Sequence, residues 1–372
     1  MTGLKMLAAG WLAAAAICLA APLSATAANY GDTAETLHLK ALLDENAGLD
    51  SALLVSLKAA DWNGITTLDQ FFDFVDETVR MVPTERNGLA EIRPFFYMIG
   101  QSPTLRSSPA FQAWVTSYVT TWGDFLDTTA SVAGLDTFLK DPAFRMEQYY
   151  VAPSGWLTFN QFFARNVKPG MRPIAGIGDD VTVVAPADGI LETVLPVDAQ
   201  SMVTAKGISY SIADLLAGSK YADDFAGGTF VHSFQEVTDY HHFHVPVAGR
   251  VVEKRNIAAP IWLDVKKDAD GALHVVDGTG FQWRQERGML VMETEELGLV
   301  AILPIGMGHV GGVVMTPDVG AELYKGEQFG FFQFGGSDVV TVFQKDRVKI
   351  TGEIGKHYLQ GEALGMRADA PE

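Results

Sequence analysis

The chain has 372 residues, 27 basic and 45 acidic, for a net charge of −18. So acidic a protein is poorly suited to nucleic acid or to tight docking on an anionic membrane surface. Its one cysteine, Cys18, falls in the leader described next, which excludes thiol catalysis and cysteine-based metal sites from the mature protein.

Lys5 is the only charge before the apolar run from Met6 to Leu23, and Ala25-Thr26-Ala27 forms a small-x-small cleavage site before Ala28. Residues 1–27 therefore read as a secretory signal peptide. A retained anchor fits less well, because the run is rich in alanine, barely long enough to span, and ends in that cleavage site. Its removal leaves 345 residues with 26 basic and 45 acidic side chains, a net of −19. The expected location is periplasmic or secreted, with no integral membrane segment after signal cleavage and a fold that rests on its core without disulfides.

Residues 28–152 follow a helical pattern. Leu68, Phe71, Phe72, Val75 and Val79 recur at spacings of three and four, one face of a helix. Ser108-Pro109 is a cap and first-turn pair, followed by the stripe Phe111, Trp114, Val115, Tyr118, Trp122 and Phe125. Aromatic residues at this spacing read as core, and nothing here has the residue types of a catalytic site.

Near Pro153 the composition shifts to short runs rich in Val, Ile, Thr and Phe: Val181–Val184, Ile190–Val194, Val251–Val252, Leu290–Met292, Leu299–Leu303 and Val339–Phe343. Stretches of helical period are few within this part, Ile212–Leu216 foremost among them. The fold class is α+β, an N-terminal helical region followed by a β-rich, barrel- or sandwich-like domain over residues 153–372.

Four stretches of that domain carry candidate chemistry. Gly306-Met307-Gly308-His309-Val310-Gly311 matches the dinucleotide fingerprint, but Gly312–Pro317 after it reads as a strand, leaving no helix N-terminus for a pyrophosphate. Asp239-Tyr240-His241-His242-Phe243-His244 holds three of the eight histidines. On a strand His242 and His244 share one face and His241 the other. A zinc site is one reading of such a cluster, with His232, His309 or Asp188 as third ligand. Hydrogen-bonded core histidines are another. Pro186-Ala187-Asp188-Gly189 by itself is a turn. In Phe329–Phe343, two apolar runs flank Gly335-Gly336-Ser337-Asp338, which local statistics read as a hairpin.

Together these stretches resemble the phosphatidylserine decarboxylase family of pyruvoyl-dependent enzymes. The resemblance is carried by Phe159–Arg165 with Lys168–Pro173, by Pro186–Gly189, by Asp239–Gly249, and by Lys325-Gly326-Glu327 through Gly336-Ser337. The helical region is similar to the extension of a branch that includes soluble, amino-acid-directed decarboxylases. The resemblance implies a self-processing proenzyme without an external cofactor. Ser337 attacks the Gly336 carbonyl, with His244 as base and Asp188 as its orienting partner, and an ester forms. Elimination and hydrolysis then leave a pyruvoyl group at position 337 and release ammonia. The α chain, residues 337–372, stays bound to the β chain, residues 28–336. The pyruvoyl group forms an imine with the substrate amine and takes up the electrons as carbon dioxide leaves, and His241 serves the decarboxylation step. No metal is implied.

Two features depart from that pattern. Asp338 stands where the family commonly has Thr or Ser, and a carboxylate there is expected to raise the pKa of His244 or to slow elimination. The signal peptide and acidic body do not suit an inner-membrane phospholipid enzyme. The −19 charge with the kinship of the helical extension favours a soluble amino acid, aromatic among the options, over phosphatidylserine. The rivals are a secreted zinc hydrolase on His242 and His244 and a non-catalytic β-barrel binding module.

Overall fold

The computed structural model describes residues 32–84, 92–205, 208–276, 282–306, 312–334 and 336–369. The signal-peptide reading of residues 1–27 and the fingerprint positions 307–311, His309 among them, lie outside the described residues. The helical pattern appears as expected. Leu68–Thr78 starts in a reciprocal cap between Thr67 and Gln70, with Phe71, Phe72 and Val75 buried. Pro109–Leu126 starts at Ser108, whose hydroxyl accepts from the Phe111 N–H. Its stripe of Phe111, Trp114, Tyr118 and Trp122 is buried, and Phe95 stacks on Tyr118 with ring centres 4.4 Å apart.

Beyond residue 153 the chain is mainly antiparallel sheet. Eight strands lie in the order Glu322–Leu323, Gly249–Ile257, Arg287–Thr294, Gly298–Gly306, Gly336–Phe343, Thr229–Phe234, Gly189–Pro196 and His357–Tyr358. The central strands read as unbroken apolar runs because both faces are covered. Leu290, Met292, Ile302 and Val339 face one core cluster, while Met289, Val291, Leu303 and Val340 face a second. A three-stranded sheet, Val313–Met315, Gln328–Phe332 and His242–His244, shares the first cluster through Phe243, Phe329 and Phe332. The helices join the same cluster, and Asp32–Glu372 forms one compact unit. The molecule is therefore α+β, with helices leading into a sandwich-like β region. Val313–Met315 is a strand, as its sequence implies.

The hairpin expectation at Gly335-Gly336 does not hold. Gln328–Phe332 pairs with Val313–Met315 and His242–His244, whereas Gly336–Phe343 pairs with Gly298–Gly306 and Thr229–Phe234. Gly336 opens the strand of the second sheet, and Gly335 lies outside the described residues. Local turn statistics do not register that choice, because long-range pairing makes it.

Candidate active site

The His242–His244 strand brings three of the motif stretches into hydrogen-bond contact. The His244 N–H donates to the Pro186 carbonyl at 2.7 Å, and the Gly326 N–H donates to the Val245 carbonyl at 2.9 Å. On its side chain, His244 Nδ1–H donates to the Gly326 carbonyl at 2.8 Å. Gly326 has φ +79°, a conformation that suits glycine and presents that oxygen. His244 Nε2 is left as the acceptor for the Tyr240 hydroxyl at 3.2 Å. Burial lowers the His244 pKa from the ordinary 6.5 to about 4. The ring is thus neutral near pH 7, with its basic lone pair on Nε2.

Asp188 is fully buried and receives Arg172 Nε and Nη2 at 2.7 and 2.5 Å, with the Gln360 N–H at 2.9 Å. Gly189 beside it has φ +154°, and a Cβ there would lie 2.4 Å from the Phe234 carbonyl, so the turn needs glycine. Among the described residues Asp188 and His244 share no hydrogen bond. The route between them runs through Arg172, whose guanidinium lies 5.6 Å from the Tyr240 ring centre, and then through the Tyr240 hydroxyl. Burial first, then the Asp188 charge, raises the Tyr240 phenol.

His241 precedes the strand, fully buried, with its ring 3.9 Å from that of Phe163. Its Nδ1–H donates to the Asp239 carbonyl at 3.0 Å, and Nε2 is buried with no hydrogen-bond partner. Burial, helped by the Arg165 charge, lowers its pKa to about 3, so this Nε2 also carries a free lone pair. Arg165 braces the turn through the Thr238 and Asp239 carbonyls at 2.7 and 2.8 Å. The Asp239 carboxylate accepts from His357 Nε2 at 2.8 Å and Arg145 Nη2 at 3.2 Å. Burial, the largest single influence, would raise Asp239, but the hydrogen bond and charge of His357 together with the Glu236 N–H outweigh it and hold the carboxyl below its usual range.

The Gly336–Ser337 bond sits at an irregularity of the ladder. Ile305 pairs with Asp338 and Gly306 with Gly336, so Ser337 is the extra residue of a bulge. Phe234 pairs with Asp338 on one side and Ile190 on the other, which places Ser337 and the Asp188 turn about the end of one strand. Just upstream, the Phe334 ring meets Trp122, Phe159 and Phe163 edge-on at 5.8, 5.0 and 5.1 Å. The Phe334 N–H donates to Asn160 Oδ1 at 3.2 Å. Phe163 therefore touches both Phe334 and His241. Beside this wall lies a cleft of about 670 Å³, lined by Tyr150, Trp156, Asn160, His242, Gln328, Phe331 and Gln333 among others.

Asp338 does not act on His244 in the way expected. It is buried against His232, with Oδ1 and Nε2 2.6 Å apart, and the His244 pKa moves down under burial. Two of the third ligands considered for zinc are engaged elsewhere, His232 with Asp338 and Asp188 with Arg172. His242 Nε2–H donates to the Ala164 carbonyl at 2.9 Å, and its ring stacks on Tyr240. Among the described residues no three His, Cys, Asp or Glu gather as a metal site. Sequence reasoning assigned no role to Arg172, Tyr240, Arg165 or His357. Arg172 and Tyr240 do lie inside the motif stretches and were findable there, whereas His357 sits in a patternless tail.

The family model described as phosphatidylserine decarboxylase matches residues 159–366, more than half of the chain. Curated relatives carry similar descriptions. The chain is 30% identical over 220 residues to a phosphatidylserine decarboxylase proenzyme of Ruminiclostridium cellulolyticum, covering 57% of this chain and 71% of that protein. It is 33% identical over 238 residues to the proenzyme of Halorhodospira halophila, covering 59% and 78%. A rice protein, phosphatidylserine decarboxylase proenzyme 2, is 33% identical over 204 residues, covering 53% of this chain but only 31% of its own length.

Proposed function

The chain belongs to the phosphatidylserine decarboxylase family, a family of carboxy-lyases, and we propose that it is an exported, self-processing decarboxylase of primary-amine substrates. Export rests on the leader at residues 1–27. The observation that supports the reading is a neutral His244 hydrogen-bonded to the Pro186–Gly189 turn, which lies at the Phe234 strand end where Asp338, the residue after the bulged Gly336–Ser337 bond, also pairs.

In self-processing, the Ser337 hydroxyl attacks the Gly336 carbonyl and gives its proton to His244 Nε2. The peptide C–N bond breaks as the C–O bond forms, with His244 Nε2 passing the proton on to the departing nitrogen, and loss of the Cα proton of residue 337 then eliminates Gly336 as a carboxylate. Water then displaces the nitrogen of residue 337 as ammonia. Asp188 acts on His244 through Arg172 and Tyr240, a positioning role. Gly336 offers no side chain to block the attack.

Phe163, in contact with both Phe334 and His241, and the orphan His241 Nε2 would suit a small keto group. A pyruvoyl group held there supplies the electron sink for loss of carbon dioxide. His241 Nε2, with its free lone pair, accepts and returns a proton in that step, and the apolar wall excludes water. The aromatic and amide lining of the cleft, with the −19 charge, supports a soluble and aromatic amino acid over the phosphatidylserine named for the relatives.

Intact mass spectrometry tests the processing step. Two chains are expected, the smaller beginning at 337 with a blocked N-terminus, and Ser337→Ala or His244→Ala should leave one. A folded wild-type protein that stays whole overturns the proposal. Carbon dioxide release from aromatic amino acids against phosphatidylserine vesicles decides the substrate.

A further inference from the structure

His232 and Asp338 form a buried polar pair that the chemistry above does not use. Asp338 is 2% exposed and His232 4%, with Nε2–H donating to the carboxylate at 2.6 Å. Asp338 stands opposite Phe234 and His232 opposite Val340, so the contact is the diagonal one on a single sheet face. That face is apolar, with Val340, Ile305 and Phe230 in the same cluster, and the Trp283 ring meets His232 edge-on at 4.7 Å. Apolar residues of similar volume would pack such a place at least as stably, so stability alone does not account for the pair.

Its position in the chain suggests what it does. Asp338 is the first residue after the bulge to pair on both sides, with Ile305 and with Phe234. The segment before the bulge is held separately, by Phe334 against Trp122, Phe159, Phe163 and Asn160. Cutting at 336–337 disconnects that first anchor from residue 337. Whatever is made from Ser337 is then tethered covalently through the Asp338 nitrogen alone.

We propose that the Asp338–His232 pair is a positioning device that holds the scissile bond in its bulge before cutting and keeps the keto group at 337 aimed into the site afterwards. This inference rests on the self-processing reading above. The two side chains are engaged with each other. Geometry at the start of the Gly336–Phe343 strand is the quantity they control.

The test follows cutting after a pulse of synthesis by intact mass, then measures the reaction of the cut protein with phenylhydrazine, a probe of the keto group that needs no known substrate. Asp338→Ala should slow both by about tenfold or more, the scale of effect that a small misplacement produces. Asp338→Asn keeps an oxygen acceptor for His232 Nε2–H and should restore both to within about threefold. Val340→Ala, a cavity in the same cluster, controls for lost stability and should cut at the wild-type rate. Wild-type rates in Asp338→Ala overturn the inference, as does equal slowing in Val340→Ala. A wild-type chain that stays whole overturns the self-processing reading with it, whereas a wild type that cuts no faster than Asp338→Ala overturns this inference alone.

Discussion

Asp188 and Arg172 meet through both carboxylate oxygens, at 2.7 and 2.5 Å, inside the protein, with the Tyr240 ring between Arg172 and His244. Taking one partner from such a pair strands a buried charge, at a typical cost of about 3–5 kcal/mol. Arg172→Met should therefore lower the denaturation midpoint sharply when measured on Ser337→Ala, where cutting cannot confuse the result. Arg172→Lys should not restore wild-type stability, since one ammonium cannot reproduce the two-pronged contact. Adding Asp188→Asn to Arg172→Met should recover part of the loss. If the double variant is the less stable, the pair does not act as a unit.

Substitution of His241 should separate the two proposed reactions. Its Nε2 is unpartnered in a wall built from Phe163, while His244 holds the contacts to Gly326 and Tyr240. His241→Gln should leave two chains of the expected masses but lower carbon dioxide release by about 10²–10⁴-fold, the usual worth of a positioned proton carrier. A variant that fails to cut would place His241 in self-processing instead.

The fold was readable in the sequence where burial is two-sided. Leu299–Leu303 and Val339–Phe343 declare themselves as strands because both of their faces are covered. Trp114 and Trp122 declare a helix by their spacing. Pairing partners were less legible. Gly335-Gly336 has the local signature of a hairpin, yet the two strands it joins belong to different sheets. Among site residues, resemblance located Asp188, His241, His244 and Ser337 along the chain. It did not say that Asp188 meets Arg172, or that Asp338 turns to His232, because contact direction depends on register and side-chain path.

Acid should loosen the protein through its buried histidines. Burial holds His241 near 3 and His244 near 4, against 6.5 when exposed. The unfolded chain then binds the extra protons, so stability is full above about pH 6.5 and falls as pH drops through 4 and 3. The corresponding loss is on the order of 3 kcal/mol for His244 and about 5 kcal/mol for His241. Urea unfolding of Ser337→Ala between pH 7 and 4 should show it, and His244→Gln should flatten part of the slope. An unchanged slope would mean that His244 is solvated.

His357 should act with the opposite sign. Its hydrogen bond to Asp239 raises its pKa despite partial burial. The contribution is present below 6.5 and lost as pH rises through the raised value. Wild type should therefore lose more stability than His357→Gln across the mildly alkaline range, with Ser337→Ala in both. Parallel curves would show that the contact carries no charge.

The helical region, which resembles no catalytic element, should still govern cutting through Asn160. Asn160 Oδ1 accepts the Phe334 N–H, and its Nδ2 donates to the Gly123 carbonyl of the Pro109–Leu126 helix at 3.3 Å. That helix also supplies Trp122 to the Phe334 ring. The helices thus hold the segment three residues before Ser337 by one polar and one aromatic contact. Asn160→Ala leaves a buried N–H without its partner, a cost of about 1–3 kcal/mol, and lets Phe334 shift. Asn160→Asp keeps the acceptor for Phe334 and gives up the donor to Gly123. Pulse-chase cutting should therefore slow in Asn160→Ala and stay closer to wild type in Asn160→Asp, with melting temperatures recorded for both. Equal slowing in the two would assign control to the Gly123 contact. Unchanged cutting in Asn160→Ala would show that the Phe334 ring alone fixes the segment.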